Sequence, residues 1–111
     1  MKKFKVAFEG LYCALKHRSV LIQVILAILA LGAGVILKLN YLEWLFFISA
    51  IFLVIALEIV NTCIERLCDF VEERYNDKIK VIKDMSSAAV LLVAILALFI
   101  ALIIFIHKMG G

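Results

Sequence analysis

The chain has 111 residues, of which 67% are hydrophobic and 19% are charged, and it contains no proline. This composition fits one small helical membrane domain, residues 1–111, better than a soluble core. The formal net charge of +3 is modest and no basic tract of the kind that follows nucleic acid occurs, which excludes a nucleic-acid-binding protein.

The first 18 residues are predicted to form a basic amphipathic helix. Apolar side chains such as Phe4, Phe8 and Leu11 recur at helical spacing between the basic ones. This pattern suits a helix that lies in the membrane interface. The basic residues are Lys2, Lys3, Lys5, Lys16 and Arg18.

Residues 19–37 are predicted to be the first transmembrane helix. The small-residue stretch LALGAG resembles a signal-peptide cleavage site, but the apolar run of 19 residues is longer than a usual signal-peptide core. Its length therefore favours a membrane span over a cleaved leader. Gly32 and Gly34 form a GxG that is too weak to indicate a nucleotide site, and we expect them to permit close helix contact.

Two further spans follow, at residues 42–64 and 85–106. Tyr41 and Trp44 are placed to anchor the short first turn at the headgroup layer, and the second helix is expected to continue beyond the lipid to about residue 73. The third span has 22 residues without formal charge, which is enough to cross a bilayer.

The distribution of Lys and Arg predicts the orientation. Five precede the first span and five lie in the second connection, against one in the first turn and one in the C-terminal tail. The positive-inside rule therefore predicts a cytoplasmic N terminus, a cytoplasmic region 58–84 and an external C terminus.

The three cysteines are Cys13, Cys63 and Cys68, an odd number without CxxC spacing. Neither a disulfide framework nor a zinc ribbon is indicated. We expect reduced thiols that pack as small apolar residues.

Four polar residues form a stripe at the end of the second span. Glu58, Asn61, Glu65 and Asp69 lie within roughly 80° of one another on a helix. Ionisable groups at a membrane edge are costly and mark a functional site by default. They should face a crevice open to water, which a homo-oligomer can supply.

The stripe allows three interpretations. Two carboxylates with an intervening amide can hold a divalent cation and accept a proton, and Lys83 with Asp84 can neutralise phosphate charge, which together suits phosphoryl transfer to an alcohol. Alternatively, the carboxylates line an ion or proton pathway. In the third interpretation the stripe is a solvated face paired with basic residues of the connection, namely Arg66, Lys78 or Lys80.

The segments EIVNTCIERLCDF and KDMSSAAVLL, with Tyr75 between them, closely resemble the signature of the small prokaryotic diacylglycerol kinase family, which includes undecaprenol kinases. The resemblance covers nearly the whole chain. It implies an all-α polytopic membrane protein of the bacterial cytoplasmic membrane, with an interfacial N-terminal helix and three transmembrane helices. It also implies a homotrimer with active sites shared between subunits, which uses Mg²⁺ and ATP to phosphorylate a membrane lipid alcohol.

Roles for the stripe follow from the same resemblance. Glu58 would be the general base that accepts the proton of the lipid hydroxyl. Glu65 would hold magnesium on the ATP phosphates, and Asn61 would hydrogen-bond near the transferred phosphoryl group. For Asp69 a structural role is favoured.

The resemblance implies further site residues beyond the stripe. Lys83 would neutralise phosphate charge and Asp84 would contact the nucleotide, both from the adjoining subunit. Ser87 matches a position near the lipid headgroup. A stretch that contacts ATP in the family corresponds to Arg74, Tyr75 and Asn76, of which Tyr75 is the typical residue.

One departure concerns the metal site. The family usually has a glutamate seven or eight residues beyond the glycine that corresponds to Gly10, where this chain has His17 and Arg18. Glu9 lies about 12 Å earlier along a helix axis and is not expected to substitute. The first hypothesis is therefore an active enzyme with weaker metal affinity. The second is a chain that has lost turnover but keeps nucleotide binding or a structural role.

The lipid substrate is indicated by two conflicting segments. KDMSSAAVLL resembles the diacylglycerol enzymes, whereas NYLEW resembles the undecaprenol enzymes. We predict phosphorylation of diacylglycerol to phosphatidic acid, with undecaprenol as the alternative. A prediction from another class is an ion-conducting small membrane protein.

Overall fold

Four helices make up the chain in a computed structural model, which describes residues 2–110. Met1, the first residue of the predicted interfacial helix, and Gly111, the last residue of the predicted domain, lie outside the described residues. The prediction of an all-α protein is confirmed, and α2, α3 and α4 are each long and apolar enough to cross a membrane. The helices are α1 (Lys2–Leu15), α2 (Arg18–Leu37), α3 (Tyr41–Val71) and α4 (Asp77–Gly110).

The turn between α2 and α3 is built from local hydrogen bonds. Lys38 adopts the left-handed conformation with φ 56°, which ends α2. Asn40 begins α3 with a capping box, in which Asn40 Oδ1 accepts from Glu43 N and Glu43 Oε1 accepts from Asn40 N, both at 2.9 Å. The connection is consequently only three residues long.

The connection between α3 and α4 is also short, because both helices extend beyond the predicted apolar spans. Only residues 72–76 separate them. Asn76 Oδ1 accepts from the backbone nitrogens of Lys78 at 2.9 Å and Ile79 at 3.3 Å, which caps the start of α4. At about 1.5 Å per residue the two helices are roughly 47 and 51 Å long, so they exceed a hydrocarbon core of about 30 Å. Their polar ends therefore project from the apolar part of the molecule.

Packing within the chain is sparse. α3 packs most extensively against α4 and next against α2, whereas α1 contacts α2 only lightly. Large apolar side chains are exposed along all four helices. Among residues 2–110, the buried apolar side chains are Val20, Leu39, Ala50, Cys68 and Ile104.

Gly34 allows the closest approach between α2 and α3. A Cβ atom at Gly34 would lie 2.8 Å from Cη2 of Trp44, whereas one at Gly32 would meet nothing within 4 Å. The close contact expected of the two glycines thus occurs at Gly34. Of the cysteines, Cys68 is buried, as a packing residue should be, while Cys13 and Cys63 are exposed.

A partly buried ion pair joins the start of α3 to the end of α4. Lys108 Nζ lies 3.0 Å from Oε1 of Glu43, and it donates a hydrogen bond to the carbonyl oxygen of Lys38 at 2.8 Å. Glu43 is only 9% exposed. The capping carboxylate of α3 therefore also fixes α4 at the end of the molecule opposite the polar stripe.

Candidate functional site

The polar stripe lies on a continuous helix and runs from a buried to an exposed end. Glu58 and Asn61 are each 8% exposed, whereas Glu65 and Asp69 are exposed. The rise from Glu58 to Asp69 is about 17 Å along the axis of α3. The two polar residues nearest the apolar part of the helix are therefore the two that the chain buries.

The side-chain amide of Asn61 is hydrogen-bonded through its nitrogen only. Its Nδ2 donates to Oε1 of Glu65 at 2.9 Å, while its Oδ1 is buried with no hydrogen-bond partner among residues 2–110. An unsatisfied buried acceptor costs about 1–3 kcal/mol. Such a group in a folded protein points to a ligand that completes its hydrogen bonding or coordination.

An ion pair joins the exposed end of the stripe to α4. Lys83 Nζ lies 2.5 Å from Oδ1 of Asp69. This hydrogen bond raises the pKa of Lys83, so the ammonium stays charged. In the described residues, Lys80 pairs instead with Asp84 at 2.6 Å. The basic partner of the stripe is thus Lys83, which was not among the candidates for a solvated pairing face.

Five of the seven residues predicted to bind the nucleotide meet at the connection between α3 and α4, whereas Asn61 and Glu65 do not. The five line one cavity of about 260 Å³, together with Asp69, Glu72 and Lys80. Glu72 Oε1 accepts from the backbone nitrogen of Arg74 at 3.1 Å, which holds the connection in place. The predicted residues that line this cavity are Arg74, Tyr75, Asn76, Lys83 and Asp84.

The other predicted residues lie outside this cavity. Glu58, Asn61 and Glu65 are on α3 further toward the apolar segment, and Ser87 is exposed on α4 one turn beyond Lys83. A single chain therefore provides two neighbouring groups of predicted site residues and does not merge them into one pocket.

The predicted magnesium site at Glu65 offers oxygen atoms of α3 as ligands. Within residues 2–110, no group of three or more His, Cys, Asp or Glu side chains could hold a metal ion. Magnesium, however, is commonly bound by one or two carboxylates together with substrate phosphates and water. Glu65 and the unpartnered Oδ1 of Asn61 are oxygen donors of the kind that Mg²⁺ prefers, so these residues fit such an ion.

The junction between α1 and α2 contains the departure from the family. His17 is half-buried at the position before α2, and Arg18 begins that helix with an exposed side chain. His17 Nε2 lies 3.4 Å from Nη1 of Arg66 on α3, and this contact was not predicted. The sequence carried no signal for it, because the contact joins two elements that are 49 positions apart in the chain.

Comparison with known proteins agrees with the resemblance. The family model "Prokaryotic diacylglycerol kinase" matches residues 5–105. A protein of Helicobacter pylori strain J99 named diacylglycerol kinase is 36% identical over 101 residues, which cover 87% of this chain and 79% of the relative. A protein of Bacillus subtilis strain 168 named undecaprenol kinase is 28% identical over 109 residues, covering 97% and 89% respectively. The chain therefore belongs to the prokaryotic diacylglycerol kinase family.

Proposed function

We propose that this chain is a lipid kinase that transfers the γ-phosphoryl group of ATP to the hydroxyl group of a membrane lipid, with diacylglycerol as the substrate and phosphatidic acid as the product. The observation that carries the proposal is the arrangement of α3 and α4. A buried carboxylate, Glu58, lies on the same helix face as Asp69, which holds Lys83 of α4. Within one chain the proposed base and the proposed phosphate-binding cation lie at opposite ends of the stripe, about 17 Å apart along α3, so Lys83 of an adjoining subunit would complete the site at Glu58.

Glu58 is the proposed general base. A carboxylate near the apolar segment can reach a hydroxyl group at the membrane interface and take its proton as the oxygen attacks phosphorus. The hydroxyl group of Thr62 donates to the backbone carbonyl oxygen of Glu58 at 2.9 Å. This hydrogen bond therefore does not engage the side-chain carboxylate of Glu58. Ser87, exposed on α4, is proposed to lie near the lipid headgroup.

The nucleotide is proposed to bind at the cavity between α3 and α4. Lys83 would act on the phosphates as a point charge, and Asp84 would contact the rest of the nucleotide. Phosphoryl transfer depends mainly on positioning and on stabilising charge. The other residues proposed to bind ATP here are Arg74, Tyr75 and Asn76.

Magnesium is proposed to be held by Glu65 with the support of Asn61. When bound, the ion would neutralise charge on the ATP phosphates. The amide of Asn61 would keep its Nδ2 on Glu65, so the carboxylate stays oriented while its remaining lone pairs are available.

A homotrimer with shared sites is proposed for two reasons. The cavity of about 260 Å³ is smaller than the roughly 300–1,000 Å³ typical of small-molecule sites, so one chain offers only part of a site for ATP. Glu58 and Asn61 also lie beside the apolar part of α3, where polar groups need protein or water around them and not lipid, and neighbouring subunits can supply that environment. We further propose that α1 lies in the membrane interface and that the N terminus and the site face the bacterial cytoplasm, as the distribution of basic residues predicts.

Undecaprenol is the alternative lipid. The Bacillus subtilis relative is named undecaprenol kinase, and both lipids present a primary hydroxyl that Glu58 can deprotonate. A catalytically impaired kinase-like protein or an ion-conducting membrane protein would show no ATP turnover with either lipid.

The test is transfer of labelled γ-phosphate from MgATP by the purified protein in mixed micelles, with diacylglycerol and undecaprenol offered separately. We expect phosphorylated product with diacylglycerol, which is lost in Glu58→Gln. Product with undecaprenol alone would assign the other substrate. No product with either lipid over a wide range of magnesium concentrations would overturn the proposed activity and indicate that the change at His17 and Arg18 is decisive.

A further inference from the structure

We propose that His17 and Arg66 form a positioning pair, which docks the junction of α1 and α2 on α3 and thereby sets the width of the groove between α1 and α3. The inference rests on the proposed lipid kinase function. His17 Nε2 and Arg66 Nη1 are 3.4 Å apart, although the two residues are 49 positions apart in the chain. The contact therefore joins distant parts of the sequence beside Glu65.

The groove between α1 and α3 has a volume of about 500 Å³. Its walls are mainly apolar, and two of its residues, Ile59 and Thr62, directly follow Glu58 and Asn61 on α3. The exposed side chains of Leu67 and Phe70 continue the apolar wall. Glu58 does not line the groove, and successive residues of a helix are about 100° apart, so the groove lies on the face of α3 beside the polar stripe. Its apolar walls suit the hydrocarbon part of a lipid alcohol.

Little else attaches α1 to α3. α1 has no buried residue and makes its main contacts with α2. Lys16, the neighbour of His17, is engaged elsewhere, because its ammonium lies 4.8 Å from the ring centroid of Tyr12. The contact between His17 and Arg66 is thus well placed to decide how closely α1 approaches α3.

Arg66 can only donate in this contact, so His17 Nε2 has to be the acceptor. A guanidinium has five N–H donors and no acceptor. The described side chains that line the groove include no carboxylate that could accept from Arg66 in place of His17.

The test compares His17→Ala with His17→Gln, because a glutamine amide oxygen can still accept a hydrogen bond from Arg66. His17→Ala should raise the KM for the lipid about five- to tenfold, the range expected for loss of one hydrogen bond, with the KM for ATP unchanged. His17→Gln should retain the wild-type value. Lys16→Gln is the matched control from the same junction and should also leave the lipid KM unchanged.

A double-mutant cycle separates positioning from a general structural role, because Arg66→Gln should add no further loss to His17→Ala. Equal losses in His17→Ala and His17→Gln, additive losses in the cycle, or a parallel change in the KM for ATP would overturn the proposal.

A measurement without turnover keeps this inference distinct from the proposed function. Nitroxide labels on the native Cys13 and Cys63, in a Cys68→Ala background, report the separation of α1 and α3. The distance distribution should broaden in His17→Ala and not in Lys16→Gln, whether or not the protein phosphorylates lipid. An unchanged distribution in His17→Ala would overturn the positioning role, while an inactive wild type with the expected broadening would overturn only the proposed function.

Discussion

Lys83 Nζ and Asp69 Oδ1 are 2.5 Å apart, so the polar start of α4 is tied to the polar end of α3 by a pair of opposite charges. The pair is partly exposed to solvent, and exposed ion pairs contribute little to stability. Its importance lies in position, because Asp69 holds the ammonium over the cavity between the two helices. A bound phosphate would meet a cation that is already in place.

Lys83→Leu should lower the rate of phosphate transfer about 100- to 1,000-fold, the range for removing one charge-stabilising donor. Asp69→Asn, which removes only the carboxylate that holds Lys83, should retain activity within about tenfold. Lys78→Leu is the matched control, since Lys78 is an exposed lysine at the start of α4 that does not line the cavity. Transfer of labelled phosphate measures all three. A loss in Lys78→Leu equal to that in Lys83→Leu would contradict a specific role for Lys83.

Glu58→Gln should abolish lipid phosphorylation while the protein remains folded, because an amide cannot accept the hydroxyl proton. The isosteric side chain preserves packing at this buried position. Activity and thermal unfolding in micelles should be measured together, with Glu9→Gln on the exposed face of α1 as the control. If Glu58→Gln still phosphorylates lipid, the general base is another residue.

His17→Glu or Arg18→Glu should lower the magnesium concentration needed for half-maximal activity, because each restores a carboxylate where the family usually has one. Lys16→Glu makes a matched change of charge one residue earlier and should leave the magnesium requirement as in the wild type. Magnesium titrations at saturating ATP measure the effect. If neither His17→Glu nor Arg18→Glu changes the requirement, the missing glutamate does not explain metal affinity in this chain.

Gly34→Ala should destabilise the fold by about 1–3 kcal/mol, because the added methyl group would lie 2.8 Å from the ring of Trp44. Gly32→Ala is the control on the same helix, where a Cβ atom meets nothing within 4 Å. Thermal unfolding in detergent micelles should therefore separate the two variants. Equal midpoints would show that Trp44 moves aside without cost.

Lys108→Met should lower the midpoint of unfolding, because it leaves the carboxylate of Glu43 without its cation. Adding Glu43→Gln in the same chain should recover part of the loss, since no buried charge is then unpaired. Denaturation midpoints of the single and double variants are the measurement. A double variant less stable than Lys108→Met would mean that Glu43 acts mainly as the cap of α3.

The sequence predicts the spans better than the ends of the helices. Apolar runs define the segments within α2, α3 and α4, because hydrocarbon requires continuous apolar residues. The second connection is so rich in charge that its helical parts do not stand out, and only the cap at Asn76, followed by Asp77, marks where α4 begins. The N-x-x-E pattern of Asn40 and Glu43 is that of a capping box, and it similarly marks in the sequence where α3 begins.

The contacts between helices are harder to predict. The face shared by Glu58, Asn61, Glu65 and Asp69 follows from helical periodicity, since it involves one element. The partner of Asp69 does not, because four other basic residues lie in the same connection and the choice depends on how α4 packs. The contact between His17 and Arg66 depends on two distant elements in the same way.

The two ion pairs that join α3 and α4 also define the axial alignment of these helices. Glu43 and Asp69 are separated by about 39 Å along α3, and their partners Lys108 and Lys83 by about 38 Å along α4. Both pairs can therefore close at once only in one axial register of these antiparallel helices. A slide of α4 along α3 would break both contacts together, so the two ion pairs report one and the same axial alignment of these helices.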